Sequence, residues 1–275
     1  MLTNTRPYRG LGMEGVIANW YARNTAKDMA AYRRDARLLA NQLQPGGRVL
    51  EVASGPGYLA IELAKLGEQR VTGLDISDTF VRISADNARK SGVAVAFRKG
   101  NAAEMPFDPA SFDGVVCRAA FKNFSDPVGA LNEMYRVLVP GGLALIIDLN
   151  RDVPQTNLDA YVGQMGLGAF DTWMTRLTFK HILIKRAYTL SAMTEMIAES
   201  RFRDGDFRSE GIGLQVWLRK EGLRDIASAK REPASARTGL APFLLGLEAR
   251  GASRFWRRNR VADWPPSARA FEPTQ

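Results

Sequence analysis

The sequence predicts a doubly wound α/β fold: a mostly parallel seven-stranded sheet with an antiparallel hairpin at one edge and an inserted helical lid. Three observations carry that expectation. Through residue 150, short apolar runs alternate with stretches of helical period, the pattern of a parallel sheet covered on both faces. Near the end, two strand-like runs are joined only by E-G-I-G, too short for a crossover, so they must be antiparallel neighbours. Between these regions, residues 151–188 break the rhythm with aromatic-rich helical stretches too long for a simple loop.

From Ala26, the spacing of Met29, Tyr32, Ala36, Leu39, Ala40 and Leu43 puts all six on one helical face, and P-G-G at 45–47 stops that helix. The chain then enters a buried strand, R-V-L-E-V-A, and a helix from Tyr58 to Leu66. A second strand, R-V-T-G-L-D, ends at Asp75, and a helix through Val81 and Ala88 leads to a third, V-A-V-A-F-R-K. After the fourth strand, F-D-G-V-V-C, Ser125 or Asp126 caps a helix with Pro127 in its first turn, where a missing N–H costs nothing. The P-G-G at 140–142 is expected to end this helix before the fifth strand, L-A-L-I-I-D. A helix over Ser191–Ser200 precedes the last two strands, D-F-R-S and G-L-Q-V-W-L-R-K.

This reading divides the chain into an N-terminal helical cover (1–44), a binding domain (45–221) with its lid (151–188), and a basic tail (222–275). The tail, rich in Ala, Arg and Pro, shows no sustained period; it is expected to be poorly ordered apart from one short helix near residues 242–249.

Composition excludes several classes. A single cysteine, Cys117, cannot form an intrachain disulfide, and with a single histidine, His181, it cannot build a zinc site of Cys and His ligands. No metal is expected. No apolar run reaches the ~20 residues that cross a bilayer, and the N-terminus lacks a secretory core, so the expectation is a cytoplasmic chain. The net charge of +9 invites a nucleic-acid partner, but residues 222–275 hold 10 Lys and Arg against 5 Asp and Glu and so supply +5 of it.

The candidate site begins at L-E-V-A-S-G-P-G-Y, where a strand passes through a glycine turn into a helix and lets backbone N–H groups approach a ligand. A dinucleotide fingerprint in this register needs glycine at 53, 55 and 58; the chain has Ala53, Gly55 and Tyr58, and no phosphate-loop lysine follows. An acid ahead of the turn, Glu51, suits a ligand carrying an ammonium instead. Asp75, at the end of the next strand, stands where a two-oxygen acceptor suits a vicinal diol.

These segments, followed by V-T-G-L-D-I-S, G-N-A-A-E-M-P-F, F-D-G-V-V-C-R-A-A-F-K-N-F and E-M-Y-R-V-L-V-P-G-G-L-A-L-I-I-D, resemble the ordered motifs of class I S-adenosylmethionine-dependent methyltransferases. The similarity is to the small-molecule branch that includes the ubiquinone and menaquinone C-methyltransferases. The motifs run from residue 40 to 148, and the terminal strand pair fits the family's hairpin, so the resemblance implies a Rossmann-like methyltransferase fold with S-adenosyl-L-methionine as cofactor. It implies that Glu51, Ala53, Ser54, Gly55 and Gly57 line the methionine and ribose end, that Asp75 takes the ribose hydroxyls, and that Ile76 packs on the adenine face. Asn101 and Ala102 meet the adenine edge, with Asn101 where relatives usually carry Asp, and Arg118 borders the methionine moiety. Tyr21, expected just ahead of the first helix, belongs to a segment that relatives fold over the cofactor.

Two departures stand out. Ala53 in place of glycine implies less room at the turn, and Lys122 and Asn123 replace the His residues of many relatives, which removes an obvious base. Cys117 reads as a buried strand residue. His181, in the basic amphipathic stretch F-K-H-I-L-I-K, is the one side chain with a natural pKa for proton transfer near neutrality, and a surface position fits it as well. Trp173, Met174, Phe179 and Ile182 form an apolar stripe that suits a pocket wall or plain core. The function expected is methyl transfer to a small organic molecule by in-line displacement. The alternatives are an RNA methyltransferase whose basic tail contacts phosphates, and a cofactor-binding protein without transfer activity.

Overall fold

The computed structural model describes residues 8–9, 12–164 and 168–222. Its sheet has seven strands in the order β3-β2-β1-β4-β5-β7-β6, with β1 to β5 parallel. They are β1 (Arg48–Val52), β2 (Arg70–Asp75), β3 (Ala96–Lys99), β4 (Phe112–Arg118), β5 (Leu138–Leu149), β6 (Asp206–Glu210) and β7 (Gly213–Arg219). β7 runs antiparallel to both β5 and β6, the expected edge hairpin. The order reverses between β1 and β4, so the strand ends open a crevice there, where doubly wound folds bind ligands.

The central strands are buried on both faces, as parallel strands must be. In β4, Val115 and Cys117 face one core, with Leu50, Val52 and Ile146 under α5 (Pro127–Val137) and α9 (Leu190–Glu199). Val116 faces the other, with Val49, Val71 and Leu145 under α2 (Met29–Ala40) and α3 (Tyr58–Lys65). Cys117 is fully buried, and burial raises its thiol pKa well above the usual range. α4 (Asp78–Lys90) is capped by the Ser77 hydroxyl, which accepts from the Phe80 N–H at 3.0 Å. α5 is capped by the Asp126 carboxylate with Pro127 at its start, as expected.

Three expectations are corrected. The P-G-G at 140–142 does not end α5: the helix stops at Val137, where Leu138 turns extended, and Pro140–Gly142 lie inside β5. They absorb a shift in register between Phe112↔Leu138 and Gly114↔Leu143, with Gly141 at φ +81°. Tyr21 does not precede the first helix but sits within one, α1 (Gly15–Thr25). The helix expected from Ala26 begins as a 3₁₀ turn, Ala26–Asp28, and becomes α-helical at Met29.

The segment expected as a lid is helical: α6 (Gln155–Gly163), α7 (Ala169–Thr178), a π turn (Phe179–Leu183) and α8 (Ile184–Arg186). The chain past Gly222, with its R-F-W-R-R-N-R stretch and the short helix expected near 242–249, lies outside the described residues. Among the described residues no helix is long and apolar enough to cross a membrane.

Candidate functional site

A cavity of about 940 Å³ lies over the C-terminal ends of β1, β2, β4 and β5, between α1 and α2 on one side and α6 to α8 on the other. Its first half is built on the β1–α3 turn. Ala53 adopts a left-handed backbone, φ +56°, a conformation that costs an L-residue about 1–2 kcal/mol. The departure from glycine is therefore conformational rather than a matter of room. Gly55 also has positive φ, +52°, and faces open space: a Cβ there would meet nothing within 4 Å. Gly57 stands behind the turn, where a Cβ would come within 2.8 Å of Phe97 Cζ and Ser84 Cβ, so it serves close packing under the turn and does not line the cavity.

Two buried acids brace this turn. Glu51 Oε2 accepts the Ala60 N–H at 2.8 Å, supplying from the strand the cap that α3 lacks at Gly57. Burial pushes the Glu51 carboxyl up to about 8; the Ala60 N–H and the Arg118 charge pull the other way. Asp75 accepts the Gly55 N–H on Oδ2 at 2.7 Å and the Ser77 N–H on Oδ1 at 2.9 Å, joining the β1 and β2 turns. Its pKa is raised by burial, against those same N–H donors. Between them, Ser54 lines the cavity, and its buried hydroxyl has no hydrogen-bond partner among the described residues.

The other expected residues fall around this turn. Ile76 is 36% exposed on the cavity wall, and Asn101 and Ala102 line it nearby. The Asn101 carbonyl already accepts the Ala103 N–H at 3.1 Å, with a second lone pair remaining. Tyr21 faces the cavity with its ring edge-on to Phe80 at 5.9 Å, and burial raises its hydroxyl pKa. Arg118 is drawn to the N-terminal cover: its Nε donates to Asp35 Oδ2 at 2.7 Å, and its guanidinium lies 4.1 Å from the Tyr32 ring centroid. Glu14 fastens the same cover by accepting the Asp78 and Thr79 N–H groups at the start of α4.

Residues 50–146 match the family model described as "Methyltransferase domain". That stretch of the chain is similar to a methyltransferase domain. Over 102 residues the chain is 37% identical to a demethylmenaquinone methyltransferase of Deinococcus radiodurans, a stretch covering 37% of this chain and 42% of that one. Over 140 residues it is 34% identical to a ubiquinone/menaquinone biosynthesis C-methyltransferase of Rhizobium leguminosarum bv. trifolii, covering 48% and 54%. The chain thus spans about half the length of the curated relatives it matches. Among solved structures, a protein of Methanococcus maripaludis assigned to the S-adenosyl-L-methionine-dependent methyltransferases aligns at TM-score 0.61 and 20% identity, over 77% of this chain and 95% of that one. A SAM-dependent methyltransferase of Aquifex aeolicus aligns at 0.53 and 18%, over 70% and 98%. At such identities these two likenesses speak for the fold alone.

The second half of the cavity, over β4 and β5, carries Phe124, Ile147, Leu149, Phe179, Ile212 and Leu214 on its wall. Inside it lies an ion pair that the sequence reading passed over. Lys122 Nζ donates to Asp148 Oδ1 at 2.7 Å and to the Ala119 carbonyl at 2.7 Å. Asp148 also accepts the Lys122 N–H at 3.0 Å and the Leu149 N–H at 2.8 Å. Both residues are more than nine-tenths buried. The available signal was an acid ending the apolar strand L-A-L-I-I-D, the same signal that marked Asp75.

The lone imidazole is not brought here. His181 is exposed, because the π turn directs Phe179 and Leu183 to the cavity and leaves His181 outside. Of the apolar stripe, Phe179 lines the cavity, while Trp173 and Met174 are 55% and 43% exposed and belong to neither core nor cavity. Ile182's side chain is outside the description.

Proposed function

We propose that the chain is an S-adenosyl-L-methionine-dependent methyltransferase acting on a small apolar acceptor of the quinone or quinol class. The observation that carries this reading is the two-part cavity at the sheet's switch point: a polar half on the β1–α3 turn and an apolar half over β4 and β5. The quinone class is supported by the names of the relatives, a demethylmenaquinone methyltransferase and a 2-phytyl-1,4-naphtoquinone methyltransferase among them.

The residues present suit the cofactor. The Ser54 hydroxyl is buried and, among the described residues, has no partner, so it can bond a ligand without losing a described internal contact. Gly55 leaves the turn open, and Asp75 is fixed with lone pairs left over for a diol. Glu51 lies on the same wall as a counter-charge for an ammonium. Ile76 and Ala102 offer apolar surface to a base, with Asn101 beside them. When bound, the cofactor supplies a sulfonium methyl that is already strongly electrophilic.

The chain's own tasks are then alignment and exclusion of water. The β4–β5 half holds the acceptor in line with the methyl group. The described part of the cover, from residue 12 to 44, is fixed through Arg118 and Glu14 and closes one side of the cavity. The helices within 151–188 act as a lid, with Tyr161, Phe179 and Leu183 facing the acceptor space. The test is incubation with S-adenosyl-L-methionine and a panel of reduced naphthoquinones and benzoquinones. The expected result is S-adenosylhomocysteine with a methyl-sized mass gain on one acceptor class. Tight cofactor binding with no product on any acceptor would sink the transfer reading, and no cofactor binding would sink the site.

A further inference from the structure

The Lys122–Asp148 pair is unexplained by cofactor binding. It sits over β4 and β5, across the cavity from the β1–α3 turn, beside the apolar wall of Phe124, Ile147, Leu149, Ile212 and Leu214. An ammonium carries three protons. Among the described residues, two of them go to Asp148 Oδ1 and the Ala119 carbonyl. Asp148 takes three donors in all, from Lys122 Nζ, the Lys122 N–H and the Leu149 N–H. A carboxylate so occupied is a counter-charge rather than a base. The ammonium is thus held rigidly at the cavity wall with one proton left to donate, in surroundings where a charge-assisted hydrogen bond is strong.

From this geometry we infer that Lys122 anchors an anionic oxygen of the methyl acceptor, a phenolate or enolate, an assignment that rests on the methyl-transfer reading above. The acceptor's O–H proton leaves to solvent, and Lys122 keeps its three protons throughout. The held anion raises electron density on the oxygen itself and on any ring carbon conjugated with it, so either can be the nucleophile. No general base is needed at the position where the sequence lacks histidine. Other ionisable groups on the cavity wall around this space are Tyr8, Tyr21, Arg118, Tyr161, Arg186 and Glu210, with Cys117 behind the pair and Tyr188 within reach of the Asp148 charge.

The test uses the full chain and two probes of nearly equal shape: 4-nitrophenol, at a pH where it is ionised, and uncharged nitrobenzene. Their dissociation constants are measured by calorimetry on the parent protein, Lys122→Met and Lys122→Arg. The parent should prefer the phenolate about tenfold or more. Lys122→Met should lose that preference, and Lys122→Arg should retain part of it. If Lys122 only braces the Ala119 turn, its removal changes both affinities together and leaves their ratio untouched. An unchanged ratio in Lys122→Met, no preference in the parent, or no binding of either probe up to its solubility limit overturns the proposal. S-adenosyl-L-methionine affinity on the same proteins tests the other reading separately: retained cofactor binding without phenolate preference overturns the anchor alone. Phenolate preference without cofactor binding overturns methyl transfer while supporting the anchor.

Discussion

Replacing Glu51 with glutamine removes a buried carboxyl while keeping an oxygen to accept the Ala60 N–H. In the native protein burial lifts this carboxyl from its ordinary 4.5 to about 8. The folded chain therefore binds the proton more tightly than the unfolded chain across that window. Unfolding releases a proton there, so the Glu51 contribution is fully present below pH 4.5 and is lost as pH rises towards 8. At about 1.4 kcal/mol per pH unit, the whole loss is on the order of 5 kcal/mol. The assay is urea unfolding of both proteins from pH 5 to 9. The other buried acids are common to both and cancel in the difference, so the parent should lose stability relative to Glu51→Gln as pH rises, and the two should run parallel above pH 8. Parallel curves throughout would refute the reasoning. A second readout follows from linkage: a ligand ammonium placed beside Glu51 favours its charged form, so S-adenosyl-L-methionine binding at pH 7 should release a proton, seen as a dependence of calorimetric heat on buffer ionisation enthalpy.

Asp75→Ala strands the Gly55 and Ser77 N–H groups in a buried site, at about 1–3 kcal/mol each, and should also weaken cofactor binding by about 1–3 kcal/mol. Unfolding and calorimetry separate the two losses, and unchanged affinity would remove Asp75 from the ribose site. Ala53→Gly relieves the left-handed strain at φ +56° but adds freedom to the unfolded chain, for a net gain of about 0.5 kcal/mol; a clear loss in chemical denaturation would count against strain at that residue. Arg118→Met leaves Asp35, 2% exposed, without its strongest partner and should cost about 3–5 kcal/mol, with faster proteolysis within residues 26–40 as the more specific sign.

The fold was legible because its signals are local: apolar runs, glycine turns and helix caps each sit within a few residues. The P-G-G at 140–142 misled because the same three residues that stop a helix also accommodate a register shift inside a strand. The pairing of Lys122 with Asp148 escaped notice for a different reason. They are 26 residues apart and meet only because β4 and β5 are parallel neighbours, which no window of sequence displays. Glu51 was visible as an acid before the turn, but its bond to Ala60 depends on how α3 leaves the strand. Trp173 and Met174 read as wall or core because helical period reports which residues share a face, not what that face touches.

The sheet's two ends have a consequence for how copies of the chain meet. β3 is four residues long and β6 five, the shortest strands together with β1. Both borders carry alternating or clustered charge, Arg98 and Lys99 at one and Asp206, Arg208 and Glu210 at the other. A neighbouring chain that tried to extend the ladder would find few N–H and C=O groups in a row, flanked by charges it would have to desolvate. Sheet-to-sheet propagation is thereby disfavoured at each border, and the hydrophobic central strands stay shielded from their own kind during crowding.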